Sequence, residues 1–284
     1  MELFEQFIRE RQYLKNVSPR TIDWYRDCES ALKRFYGPNL SVESLTRESL
    51  KQWLLNMRQG GPSPISCNTF ITGVNAFLNW LHQEGHLGEK IRIQKLMVEH
   101  TVLRTLTADH VQRVIKSKAA GRNQIRARMI ALLILDTGLR ISEVLNLRRT
   151  DVDFDNLVIR VMGKGKKERL VPMSFELRKA LFRYVRDEKD LIFGTRNGTV
   201  VSVRNFERDF KELGSRLAIT GVRCSPHTLR HTFAVSYLRA GGNLFYLSKI
   251  LGHTSVKTTE RYLQSLQIED LQKVHERFSV LAQR

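Results

Sequence analysis

The chain has 284 residues, 42% hydrophobic and 27% charged, the make-up of a folded globular protein with length enough for two domains. Its longest unbroken apolar run, Met129 to Leu135, is far short of the roughly 20 residues of a bilayer-spanning helix, and "MELFEQFIRE" lacks the basic-then-apolar order of a secretory signal, so a cytoplasmic location is expected. The net charge of +18 is uneven, with 13 Lys and Arg against 11 Asp and Glu in residues 1–100 but 34 against 18 in residues 101–284, which points to a polyanionic partner, nucleic acid first.

Along the first hundred residues the pattern is that of amphipathic helices. Ser18 before Pro19 is a cap followed by a first-turn proline, and Ile22, Tyr25, Cys28, Leu32 and Phe35 recur at helical steps until Gly37-Pro38. Thr46 is placed to cap a second helix with Leu50, Trp53, Leu54 and Met57 inward, broken by "GGPSP" at 60–64. Phe70, Val74, Phe77, Leu78 and Leu81 define a third, stopped by Gly85. The periodicity fades near 88–105. The expected division is a helical domain over 1–95, a linker over 96–105 and a second domain over 106–284. Cys28, Cys67 and Cys224 are scattered without the spacing of a metal knuckle or a disulfide framework, and Cys28 is expected to be buried.

In the second part Thr107 is placed to cap a helix, and a largely apolar helix runs from about Gln124 to Asp136 and ends at Gly138. Leu157–Met162 and Arg169–Met173 are β-type runs flanking "GKGKKE", a hairpin signal. Helices dominate again after about 174, and residues 267–284 place Ile268, Leu271, Val274, Phe278 and Leu281 on one helical face. The expected fold is mainly α, with a small antiparallel sheet in the second domain.

Four short stretches carry chemistry. "HTLRH" at 227–231 puts His227, Arg230 and His231 on one helix face. Zinc proteases use two histidines at this spacing, but the position of their glutamate base is Thr228 here, which favours an anion as the thing faced. "DTGLRISEV" at 136–144 sets Arg140, with a planar fork suited to two phosphate oxygens, at a helix junction with Glu143 one turn on to orient it. Lys164 sits between glycines at the hairpin tip, and "LGHTSVKTTERYL" at 251–263 offers His253 and then Tyr262. Taken singly, Arg140 fits a surface salt bridge, Lys164 a solvated turn and Tyr262 a half-buried core position.

Together, "TGLRISE", the glycine-flanked hairpin lysine, "HTLRH", "LGH" and the tyrosine resemble, in order and spacing, the tyrosine recombinase (phage integrase) family across residues 106–263, and the first hundred residues resemble its core-binding domain through the weaker "SPRT" signal. The resemblance implies an all-α, SAM-like core-binding domain followed by a mostly helical catalytic domain. It implies Arg140 and Arg230 as clamps on a scissile phosphate, Lys164 as the acid for the leaving 5′-hydroxyl, and His227 and His253 as further phosphate-facing groups. It implies Tyr262 as the nucleophile that becomes a 3′-phosphotyrosine, with Glu143 and His231 in support. No cofactor is expected, neither ATP nor metal. The expected partners are a double-stranded DNA recombination site and further copies of the chain in a tetramer, with a related recombinase or accessory protein left open. Integration, excision and dimer resolution stay equally open, as does whether the terminal helix docks in cis or in trans. A type IB topoisomerase and a DNA-binding regulator that does not cut are the competing expectations. The length suggests a simple, Xer-like enzyme without an arm-binding domain.

Overall fold

The computed structural model describes residues 2–38, 40–98, 103–163, 168–185, 190–279 and 281. It divides into two compact units, Met1–His100 and Thr101–Arg284.

The first unit holds α1 (Glu2–Tyr13), α2 (Pro19–Tyr36), α3 (Arg47–Gln59) and α4 (Pro64–Gln83). Ser18, Thr46 and Ser63 cap the last three by accepting a backbone N–H in the first turn, so that "GGPSP" both ends α3 and starts α4. Phe7, Leu32, Trp53, Ile71, Leu78 and Leu81 fill the core, and Trp53 Nε1 donates to the Ala31 carbonyl at 3.2 Å. Cys28 is buried and its thiol pKa is pushed up to about 12 by that burial and by Asp27. Phe35, expected inward, lies at the surface of α2 edge-on to Tyr36; Ala31 and Leu32 take the inner face there.

Residues 91–96 carry no helical period because two asparagines of α4 treat them as a strand. Asn75 accepts from Ile93 N and donates to Ile93 O, both at 2.9 Å, and Asn68 does the same with Leu96 at 2.8 and 2.9 Å. Ile91 and Ile93 are thereby buried.

The second unit is built around α6 (Arg122–Thr137), whose Met129, Ile130, Ala131, Leu133 and Ile134 are buried. That all-round burial explains its unbroken apolar run. Around it stand α5 (Ala108–Lys116), the short α7 (Ile141–Leu145), α8 (Phe175–Tyr184), α9 (Val203–Arg216) and α10 (Pro226–Arg239). The sheet is antiparallel in the order β1 (Val152–Asp153), β2 (Val158–Met162), β3 (Glu168–Pro172), with Val158 opposite Pro172 and Met162 opposite Glu168. The two-residue β1 has no signal in the sequence; it pairs only Val152 with Ile159 and Asp153 with Val158. The unit continues through α11 (Leu244–Leu251), α12 (Lys257–Glu260), a 3₁₀ turn at Leu263–Ser265 and α13 (Ile268–Phe278). Among the described residues, no helix is long and apolar enough to cross a membrane.

Candidate active site

Two helix ends create the site. The last carbonyls of an α-helix have no partner within it and carry its negative pole. At the end of α11, three consecutive carbonyls each accept from a different arginine: Ile250 from Arg169 Nε at 3.1 Å, Leu251 from Arg230 Nη2 at 2.8 Å and Gly252 from Arg140 Nη2 at 3.0 Å. At the end of α6, the Gly138 carbonyl accepts from Arg230 Nη1 at 2.6 Å.

Both helix ends need glycine. Gly138 has φ +66°, and a Cβ there would lie 2.3 Å from Phe233 Cδ1. Gly252 has φ +64°, and a Cβ would lie 2.9 Å from the Arg169 guanidinium carbon. An L side chain at either position meets backbone strain and a neighbour together.

One carboxylate organises two of the arginines. Glu143 accepts the Arg140 backbone N–H at 2.8 Å and Arg140 Nη1 at 3.0 Å. Arg169 meets it fork to fork, Nη1 on Oε1 and Nη2 on Oε2, both at 2.9 Å. Burial by itself would raise the Glu143 pKa; the bonds from Arg169 and the Arg140 backbone, with both guanidinium charges, bring it below the usual carboxylate value. Three guanidiniums and one carboxylate leave the cluster at a net +2. Burial, and then the charge of Arg140, lower the Arg230 pKa to about 10, which still leaves it a cation at neutral pH.

His253 is placed by two bonds, Nδ1 with Thr259 Oγ1 at 2.8 Å and Nε2 with Arg230 Nη2 at 3.1 Å. A guanidinium only donates, so Nε2 accepts and Nδ1 carries the proton, which Thr259 receives. Burial and the nearby arginines, Arg230 foremost, lower the pKa of His253 to about 4. On α10, His231 Nδ1 lies 3.3 Å from the Tyr262 hydroxyl, and its pKa is likewise lowered to about 4 by burial and then by Arg261 and His227. His227 is exposed in the first turn of α10, its ring stacked 6.4 Å from that of His231.

Tyr262 follows α12 and is 2% exposed. It belongs to a buried cluster with Ala234, Val235 and Leu238 of α10 and Leu247 and Leu251 of α11. The structure therefore gathers Arg140, Glu143, Arg230, His231, His253 and Tyr262, with His227 at the rim. Lys164 lies outside the described residues; the strands on either side of it are placed. Arg169 and Thr259 were not singled out in the sequence, although Arg169 left a signal: in a strand it shares a face with the buried Val171 and Met173, where a charge requires a partner.

Residues 104–268 match the model of the phage integrase family. A tyrosine recombinase of Thermosipho africanus is 30% identical over 272 residues, 93% of this chain and 94% of that one. The tyrosine recombinase XerA of Thermococcus kodakarensis is 30% identical over 290 aligned positions, 99% and 95% of the two chains. Among solved structures, a XerA recombinase is 28% identical with a TM-score of 0.55, covering 98% and 99% of the two chains. The Tn1549 transposon integrase in complex with transposon right end DNA shares the fold with a TM-score of 0.80 at 22% identity, covering 98% and 99%. The chain belongs to the phage integrase family and is a tyrosine site-specific recombinase.

Proposed function

We propose that this recombinase cuts and rejoins double-stranded DNA through a covalent 3′-phosphotyrosine at Tyr262, with neither ATP nor metal. The observation that carries the proposal is the gathering of Arg140 and Arg230 by the α11 carboxyl end, beside a histidine and a tyrosine whose hydroxyl meets a second histidine. Charge on the non-bridging phosphate oxygens grows as a fifth ligand arrives. Two guanidiniums fixed beforehand stabilise that state more than the ground state.

The remaining roles follow from protonation. A phenol has an ordinary pKa of about 10 and needs a base near neutrality; neutral His231, in contact with the hydroxyl, is the first acceptor for its proton, and His227 lies beyond it. His253 presents an Nε2 lone pair, and becomes a donor to a phosphate oxygen when the phosphate's own charge favours its protonation. Lys164, between β2 and β3 in the chain, protonates the departing 5′-oxygen, which is otherwise a poor leaving group. The phosphotyrosine retains the energy of the broken bond, so another strand's 5′-hydroxyl reverses the step. Because Tyr262 is covered, the segment from α12 to the 3₁₀ turn shifts when DNA arrives.

The positive excess of residues 101–284 and the likeness to an integrase held on DNA support DNA as the partner. Ile268, Leu271 and Phe278 of α13 are 62%, 51% and 64% exposed, an apolar face that docks on a neighbouring copy in a DNA-bound tetramer. The site of action is the nucleoid in the cytoplasm.

The test uses nicked duplexes drawn from a randomised inverted-repeat library, in which cleavage releases a short fragment and strands the enzyme on DNA. A denaturant-resistant adduct is expected for the native protein and none for Tyr262→Phe. A DNA-binding regulator would give no adduct with either. Strand exchange between two selected sites on a plasmid, as opposed to relaxation alone, separates recombination from topoisomerase activity.

A further inference from the structure

Arg140 and Arg169 approach Glu143 on different terms. Arg169 covers both carboxylate oxygens and is 13% exposed, whereas Arg140 gives one guanidinium nitrogen and is 40% exposed. A planar fork fits a carboxylate once in this way. Whichever arginine holds both oxygens leaves the other with donors to spare.

We propose that Arg169 is a positioning residue that saturates Glu143, so that Arg140 keeps donors for a DNA phosphate. This rests on the proposed role of Arg140 as a phosphate clamp. Glu143 is buried and requires compensation. Without Arg169, the cation at hand is Arg140, three residues away and already touching it. Arg140 would then turn its fork onto the carboxylate, and the cluster's net charge would fall from +2 to +1. Arg169 sits on β3, the strand leaving the hairpin of Lys164, and its bonds reach 26 residues back to α7 and 81 residues on to Ile250. The strand that follows Lys164 in the chain is thereby tied to the strength of the clamp.

The alternative is a cross-brace, in which Arg169 matters for its bond to the Ile250 carbonyl and its charge does not. The two accounts differ in sign when Glu143 is neutralised. Glutamine at 143 retains an oxygen for the Arg140 backbone N–H, so the start of α7 stays capped, but it no longer competes for the Arg140 fork. Adduct formation is measured on the selected nicked duplex at saturating DNA, at a temperature where circular dichroism shows every variant folded. Arg169→Met should slow it roughly a hundredfold, and adding Glu143→Gln should restore about tenfold or more of that rate with DNA affinity unchanged. A cross-brace predicts that the double variant is as slow as Arg169→Met or slower, and that result overturns the proposal. Should Arg169→Met not fold, Arg169→Gln replaces it, with the same expected gain from Glu143→Gln. Tyr262→Phe runs alongside. An adduct in that variant, or none with the native protein, refutes the phosphotyrosine account and this proposal with it, whereas a missing rescue refutes only the role of Arg169.

Discussion

The arginine cluster and the chain that follows it differ in how tightly each is held. Arg140, Arg169 and Arg230 are tied to four backbone carbonyls and a buried carboxylate, and at both helix-end glycines a side chain would meet backbone strain and a neighbour. From Lys257 onward come a four-residue helix, a 3₁₀ turn and then a helix with its apolar face in solvent. In the proposed mechanism the difference separates two requirements of phosphoryl transfer. Groups that meet a developing charge lose effect if they must reorganise, while a nucleophile used by strands that change partners has to come and go.

The largest effect should come from breaking the held region at Arg230, the residue shared by both helix ends. Arg230→Ala should reduce adduct formation a hundredfold or more, and Arg230→Lys should restore little, since one ammonium does not reach two carbonyls and a phosphate in a plane. Gly138→Ala comes next. It introduces strain at positive φ and a clash with Phe233, a loss of roughly 2–4 kcal/mol in stability measured by denaturant unfolding. Thr259→Val removes the acceptor that fixes the His253 tautomer, at about 1 kcal/mol in stability and about tenfold in adduct rate.

The same region sets a pH dependence. His231 and His253 have pKa values of about 4 in the folded chain against 6.5 as the ordinary value. Between these limits the unfolded chain binds protons that the folded one refuses, so stability is complete above about pH 7 and declines as the pH falls from 6.5 toward 4. Melting temperatures across that range should show the decline, and His231→Gln should flatten part of it. The smallest effect on stability belongs to the loosely held end. Leu271→Ser and Phe278→Ser should leave unfolding within about 0.5 kcal/mol of the native value while abolishing assembly beyond the first copies bound to DNA, measured by light scattering.

The same contrast explains what the sequence disclosed. Helix caps at Ser18, Thr46 and Thr107, the apolar period of α2 to α4, the buried α6 and the hairpin pairing are local signals, and they appear where local chemistry places them. Arg140, Glu143, His227, Arg230, His253 and Tyr262 were singled out through motifs whose resemblance covers residues 106–263, and the structure brings all but His227 together. Thr259 was not legible, and Arg169 only as a charge on the buried face of a strand, because their partners are 6 and 26 residues away across a turn or a fold contact, and no local period names such a partner. The extended segment at 91–96 was obscure for a similar reason: its partners are two asparagine side chains in place of a strand.

The central claim is that one hydroxyl, that of Tyr262, takes the DNA strand. Proteolysis of the captured adduct, nuclease trimming and mass spectrometry of the peptides locate the nucleotide-bearing residue. The account predicts a phosphonucleotide on Tyr262 in the peptide following Arg261, and the same mass on Tyr237, Tyr246 or a serine would contradict it.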